Sequence, residues 1–439
     1  MLIDTQTLYD LEILHTEDDG TPVFHLINQT KTTGGSYRLR DKLMHPPGSY
    51  ELLIEQQEAI RYFSENHDQF HLPANDIQMK AIEEYFTSNI EVVANDHWIT
   101  SVQFCLSDIA SFRFLKSSLP EVIRFAAMLQ QMIRKDTSEL PLILKQIEHQ
   151  LQLIEGDASF QSIKDINREQ AISFHHCLKA DRALRTVLKE PFMALIDAYY
   201  ELDALLSMAV TTVRLKFQFP EIINTGQPLF QVEAMYHPLL KNAIPACVDM
   251  NQERNFIFLT GANMSGKTTF LKTIGLSVYF AHLGMGVPAK KARIAYVDRL
   301  ITGITFTDNI AIGYSYFFSE VKRIRQLAVA LHNGERVFSI FDELFRGTNI
   351  KDAVEASTTI MQQLLPWKDD LFIISSHLTE ISPKIMPFSN VQFLCFESFI
   401  KDGKPSFTYT LQEGVSTMRL GMKIIENEGI NQLLVRKMP

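Results

Sequence analysis

Between about residues 50 and 215 the apolar side chains recur every three or four positions. After Pro220 they gather into short unbroken runs. The first pattern predicts helices. "SYELLIEQQEAIRYFSE", "EVIRFAAMLQQMIRK" and "LPLILKQIEHQLQLI" each carry one apolar face. "GDASFQSIKD" breaks the pattern, and a long helical run resumes from about Asn167 through "YYELDALLSMAVTTVRL". Long antiparallel helices are the economical reading, because the heptad is not strict enough for a coiled coil. Further upstream, "TTGGSYRLRDKLMHPP" reads as a glycine-punctuated helix start, a helix and a stop at Pro46–Pro47. Residues 1–30 alternate in the manner of short strands, with a turn at "EDDGTP".

The second pattern predicts strands buried on both faces of a mostly parallel sheet. "NFIFLTG", "RVFSIFDE" and "DLFIISSH" are rich in Phe and Ile and are separated by helical stretches. "NVQFLCFESFI" and "SFTYTLQEG" add two more strands near the end. The expected fold is an α/β domain over 220–439, preceded by a mainly α-helical part.

Composition narrows the class. A chain of 439 residues suggests two or three domains, and 46% hydrophobic with 21% charged residues is ordinary for a globular protein. Charges interrupt every apolar run before the roughly 18 residues a membrane span needs. The first residues, "MLIDTQTLYDLEIL", lack the basic start and apolar block of a secretory signal. Cys105, Cys177, Cys247 and Cys395 are scattered, which suggests neither a disulfide framework nor a metal site and points to a reducing cytoplasm. The net charge of −9 is uneven: residues 1–215 hold 19 basic against 31 acidic side chains, and 216–439 hold 23 against 20. Tight non-specific DNA binding rests on many Lys/Arg–phosphate contacts. The front half is a poor stand-alone DNA binder unless its basic residues share one face.

The candidate chemistry lies in "LTGANMSGKTTFLKT". Gly261 to Thr268 fits G-x-x-x-x-G-K-[ST] between a buried strand and a helix, the context of a phosphate-binding loop. Gly261 and Gly266 let the backbone curl so that N–H groups point inward, a cradle formed by Gly261, Ala262, Asn263, Met264, Ser265, Gly266, Lys267, Thr268 and Thr269. Lys267 supplies a positive charge to the β and γ phosphates, Thr268 offers a hydroxyl to Mg²⁺, and the helix adds its positive dipole end. Asp342 ends an apolar strand, where it can hold the metal, and Glu343 can orient or deprotonate an attacking water. Ser376 and His377 sit at another strand tip, and His377 is either a γ-phosphate sensor or a structural hydrogen-bonder. Ser315 precedes an amphipathic helix and is either its cap or part of an anion site.

These segments, with "ARIAYVDRLITGITFTDNIAIGYSYFFSEV", "FDELFRGTN", "SSHLTEI" and "LQEGVSTMRLG" in that order, resemble the ATPase domain of the MutS mismatch-repair family. That domain is an ABC-type P-loop ATPase. "IDTQTLYDLEIL", "LINQTKTTGGSYRLRDKLMHPP" and "YYELDALLSMAV" are similar to the start of that family's core domain and the end of its lever helices. The resemblance implies that 1–75 begins the core, 76–219 is the lever and 220–439 is the ATPase. It implies ATP and Mg²⁺ as cofactors, with Lys267, Thr268 and Asn263 on phosphates and metal, Asp342 on the metal, Glu343 on the water and His377 as a switch. It further implies a dimer, a homodimer on the simplest reading, in which Ser315 reaches the ATP of the partner subunit. Tyr409 would stack on adenine. The family's second aromatic is not evident, since the chain reads Ala243-Ile244-Pro245 where it is expected.

The same resemblance makes the front end look short. The mismatch-wedging and connector domains are expected to be missing, the clamp between the levers absent, and 117–165 helix, loop and helix. Two functions follow as expectations. One is an ATPase whose levers move on branched or damaged DNA rather than reading mismatches. The other is a nucleotide-switched module that grips a protein or a full-length relative. Membrane association is not expected.

Overall fold

Every residue of β4 (Phe256–Thr260), β7 (Val337–Asp342) and β8 (Leu371–Ser375) is buried, as continuous apolar runs between two helical layers require. The computed structural model describes residues 1–16, 20–94, 98–133, 140–166, 173–306, 316–401, 404–416, 427 and 430–434. β6 (Arg299–Gly303), β9 (Val391–Lys401) and β10 (Lys404–Glu413) complete a six-stranded sheet of order β10-β9-β4-β8-β7-β6. All its pairings are parallel except β9 with the edge strand β10. β8 lies between β4 and β7, with Ser375 level with Leu259 on one side and Asp342 on the other. Three strand ends therefore meet where α/β sheets place their ligands.

Around this sheet pack α12 (Lys267–His282), α13 (Tyr316–His332) and α14 (Ile350–Leu364). α12 is buried on nearly all sides, from Phe270 to His282. α14 turns Met361 and Leu364 into a core with Phe258, Phe341 and Phe372. A second sheet, not expected from the sequence, joins β1 (Glu221–Ile223), β2 (Leu229–Met235), β3 (Ala246–Asn251) and β5 (Lys291–Ala295) in the order β1-β5-β2-β3. Its strands are short and half-exposed, so their apolar residues never form the runs that mark the main sheet.

The chain divides into two compact units, one of residues 1–26, 43–56 and 212–439, the other of 27–42 and 57–211. In the first unit the opening residues are not strands. They form α1 (Thr5–Asp10) and α2 (Val23–Ile27), and Leu2 alone makes a bridge, to Arg299. Glu17–Asp19 of the expected turn lie outside the described residues. Hydrogen bonding overrides the alternation: Asp4 accepts from the Thr7 N–H and caps α1. Asp10, fully buried, accepts from the N–H groups of Ile304 and Thr305 and from the Thr302 hydroxyl. The alternating pattern cannot encode partners three hundred residues away.

In the second unit every regular element among the described residues is helical, including 117–133, 142–156 and 158–161. α3 (Thr33–Met44) and α4 (Tyr50–Glu65), whose residues within 43–56 are counted in the first unit, match expected helices, as do α7 (Ile109–Ile133) and α8 (Leu142–Gly156). α5 (Asp76–Thr87), α6 (Trp98–Ser107) and α9 (Ala158–Gln161) lie between them and after α8. The run expected from Asn167 is instead two helices, α10 (Phe174–Arg185) and α11 (Lys189–Arg214), because Thr186 leaves helical geometry at φ −118° and ψ −89°. The glycines of "TTGGSY" lie inside the first turn of α3, where bulk is excluded. A Cβ on Gly34 would come within 2.4 Å of the Tyr200 ring, and one on Gly35 within 2.2 Å of Asp203 Oδ2. Asp203 uses that proximity to accept from the N–H groups of Lys31 and Thr32 and from the Thr32 hydroxyl. No helix among the described residues is long and apolar enough to cross a membrane, and none of the four cysteines is paired.

Candidate functional site

The backbone after β4 turns sharply because Gly261, Met264 and Gly266 adopt positive φ angles of 153°, 69° and 100°. The φ of Gly266 suits only glycine well, and a Cβ there would lie 3.2 Å from the half-exposed Tyr409 ring, which would have to shift slightly. α12 begins immediately afterwards with no side chain capping its first N–H groups. Such donors form a ready anion site. Ser265 Oγ, in the same loop, is buried without a hydrogen-bond partner among the described residues. A buried orphan hydroxyl next to free helix donors fits a cradle shaped for phosphate oxygens. Asn263 and Met264 are exposed at the tip of the loop, and Ala262 is buried.

Lys267 Nζ folds back on the loop and donates to Gly261 O at 2.8 Å and Ala262 O at 3.2 Å. Burial pulls its pKa down, against the carboxylates of Glu343 and Asp342, which raise it. The Thr268 hydroxyl donates to Asp342 Oδ2 at 2.6 Å, and the Ser375 hydroxyl donates to Oδ1. Both oxygens of Asp342 are thereby oriented. A hydroxyl and a carboxylate are hard oxygen donors of the kind Mg²⁺ takes alongside substrate phosphates. Among the described residues no three His, Cys, Asp or Glu side chains gather as a metal cage. A cation here would share its coordination with a ligand.

Glu343 follows at φ 60°, a left-handed angle that is uncommon for a branchless but bulky side chain. Its N–H donates to Ser375 O at 3.1 Å, which ties β7 to the end of β8. Arg346 Nε donates to Glu343 Oε2 at 2.5 Å, and His377 Nδ1 lies 3.3 Å from the same oxygen. Burial works to raise the Glu343 pKa, but the His377 and Arg346 hydrogen bonds and charges outweigh it and bring it to about 2. The same hydrogen bond raises the pKa of His377, against its partial burial.

Beside Gly266 a pocket of about 310 Å³ opens, lined by Tyr236, Ile244, Thr269, Phe270, Phe396 and Tyr409 among others. The Tyr409 ring is half exposed and lies over the start of α12. His237, also in the wall, is held near pKa 4, chiefly by burial and by the Lys272 charge, with Glu12 opposing. It is neutral near pH 7, and the pocket is correspondingly apolar with a few polar edges, the ordinary make-up of a small-molecule site.

Of the residues singled out from the sequence, 261–269, Asp342, Glu343, His377 and Tyr409 converge on this one region. Ser315 lies outside the described residues. Sequence reasoning left out Ser375, Arg346 as a partner of Glu343, and the part of the pocket wall at Met235, Tyr236, His237 and Leu240. Ala243 and Ile244 of the same wall lie in the stretch where the resemblance placed a second aromatic. Ser375 carried a signal, being polar at the end of a buried strand. The 235–240 part carried none, because only packing brings it beside α12.

Comparison with known families accords with this geometry. Residues 6–209 match MutS domain III, and residues 257–438 match MutS domain V. The DNA mismatch repair protein MutS of Ehrlichia ruminantium (strain Gardel) is 29% identical over 243 residues, which is 55% of this chain and 30% of that protein. That of Anaplasma phagocytophilum (strain HZ) is 27% identical over 231 residues, 52% of this chain and 28% of that protein. The aligned stretch thus spans under a third of each of these relatives.

Proposed function

From the premise that the chain is MutS-like, with domains III and V, we propose that it binds ATP with Mg²⁺ in the Gly261–Thr268 cradle, hydrolyses it, and uses the cycle to move its helical part on DNA. One observation carries the reading: the Thr268–Asp342 pair, 2.6 Å apart, stands directly before an ionised Glu343. The N–H groups of the loop and of α12 and the Ser265 hydroxyl would receive phosphate oxygens. Lys267 would exchange its two carbonyl partners for the β and γ phosphates. Thr268 and Asp342 would hold Mg²⁺, with Ser375 fixing the carboxylate. Mg²⁺, when bound, neutralises charge on the phosphates.

Glu343, deprotonated throughout the neutral range, would orient the attacking water and accept its proton. To do so it must share or release Arg346 and His377, and His377, now a free donor, could then turn to the γ-phosphate. The pocket beside Gly266 would take the base. Tyr409 offers one ring face, and Ile244, in the stretch where a second aromatic was expected, lines the same pocket together with Tyr236. In a homodimer Ser315 would complete the partner's site. An ABC-type fold and a cytoplasmic setting belong to the same proposal.

The test is ATP turnover by the full chain with Mg²⁺, alone and with plain, mismatched and branched duplexes, at two salt concentrations. Absent turnover would refute the ATPase, and turnover unchanged in Glu343→Gln would refute the water-orienting role of Glu343. Turnover without DNA binding or DNA stimulation would remove the DNA half. It would favour the second reading, a nucleotide-switched protein-binding module, which the acidic balance of residues 1–215 supports.

A further inference from the structure

Glu320 lies on α13, one turn past its start, and is 1% exposed. No basic side chain is hydrogen-bonded to it among the described residues. Its carboxylate instead serves backbone. Oε1 accepts from the Arg346 N–H at 3.2 Å, and the N–H groups of Gly347 and Phe345 also interact with it. Oε2 is buried with no hydrogen-bond partner among the described residues. An acid at this depth with one oxygen unmet costs stability. Its use must lie in what it holds.

What it holds is strained. Glu343 and Phe345 both take left-handed φ angles, 60° and 62°, two positions apart. Such conformations persist only where the surroundings impose them. α13 imposes them in three ways. Glu320 draws in the N–H groups of 345–347. The Phe317 ring packs on the Phe345 ring at 5.7 Å. Gly347 sits so close that a Cβ would fall 2.8 Å from the Phe317 nitrogen. The turn held this way carries Arg346, whose Nε bonds the Glu343 carboxylate.

We infer that Glu320 is a positioning residue: by binding the backbone of 345–347 it sets where Arg346, and through it the Glu343 carboxylate, points. This inference rests on the ATPase reading. It assigns to α13 a mechanical link to the water-activating acid that needs no contact between Glu320 and nucleotide.

The test measures kcat, KM and binding of a non-hydrolysable ATP analogue for wild type, Glu320→Ala, Glu320→Gln, Arg346→Ala and the Glu320→Ala/Arg346→Ala double variant. Circular dichroism checks the fold of each. The expected result is a kcat loss of about tenfold or more in Glu320→Ala, with KM and analogue binding within about twofold. Glu320→Gln keeps an acceptor oxygen for the turn and recovers most of the rate. Adding Glu320→Ala to Arg346→Ala lowers kcat little further, because both act on one element. Wild-type kcat in Glu320→Ala, or the same fold-loss with and without Arg346, would overturn the inference while leaving the ATPase intact. A wild-type chain without turnover would overturn both. If Glu320→Ala fails to fold, Glu320→Asp decides, because it keeps the charge but draws the carboxylate back from the turn. A fall in kcat at unchanged KM supports positioning, and wild-type kcat or a change in KM alone overturns it.

Discussion

Ser375 on β8 donates its hydroxyl to Oδ1 of Asp342 on β7, while Thr268 donates to Oδ2 at 2.6 Å. The parallel register of β7 and β8 sets Ser375 level with Asp342. Ser375 is thus an outer partner of the proposed metal ligand. Ser375→Ala should raise the Mg²⁺ concentration for half-maximal turnover by about 10–100-fold, as loss of such partners commonly does. An unchanged Mg²⁺ titration would show that the strand alone orients the carboxylate.

Glu343→Gln should leave nucleotide binding in place and lower kcat by about 10²–10⁴-fold, the usual worth of a positioned base. Single-turnover hydrolysis beside equilibrium binding separates the two effects. Equal losses in binding and rate would reassign Glu343 to ground-state contact.

The Glu343–His377 pair makes a statement about pH. Glu343 is lowered from 4.5 to about 2, so its contribution to stability is present above 4.5 and lost as pH falls toward 2. His377 is raised above 6.5, so its contribution is full below 6.5 and lost as pH rises through its folded value. Both are present together between about pH 5 and 6.5. Going from about pH 6 to about pH 9, the wild-type melting temperature should fall further than that of His377→Ala. Parallel shifts in the two proteins would refute the pairing.

Asp370 behaves in the opposite sense. Burial lifts its pKa from 3.8 to about 6, although it accepts from the Val337 N–H at 2.7 Å. The folded state binds this proton more tightly than the unfolded chain, so stability declines as pH rises from about 4 past 6. Asp370→Asn keeps an acceptor for Val337 and removes the buried charge. It should stabilise the protein by about 1–3 kcal/mol near pH 8 and by almost nothing near pH 4. Urea unfolding at the two pH values checks this, and a gain independent of pH would point to another cause.

Gly35→Ala tests the helical unit. A Cβ 2.2 Å from Asp203 Oδ2 would expel the carboxylate from the N–H groups of Lys31 and Thr32. Overpacking and orphaned donors together should cost about 2–5 kcal/mol, despite alanine's better helix propensity. A urea midpoint equal to wild type would show that Asp203 can move without loss.

Much of the site was legible because its chemistry is contiguous. "GANMSGKTT" carries glycines, lysine and hydroxyls within one turn of chain, and the apolar runs ending in Asp342 and before His377 announce buried strands by burial alone. The helices of 50–161 were legible for the same reason, since a 3.6-residue period is local. Residues 1–30 were misread because six alternating residues fit a strand as well as a capped helix. The deciding partners of Asp10 are at 302–305.

The sequence by itself determined a glycine-punctuated loop between a buried strand and a helix, a strand-end carboxylate pair and a helical front half, since each is written in neighbouring residues whose spacing dictates their geometry. Only the tertiary structure decided which oxygen of Asp342 meets Thr268, that Glu343 is held by Arg346 and His377, and that Glu320 grips the turn between them. It alone brought Tyr236, Ile244 and Tyr409 around one pocket. The physical reason is common to all of these. They depend on strand order and on distances of a few ångströms between segments far apart in the chain, which no local period encodes.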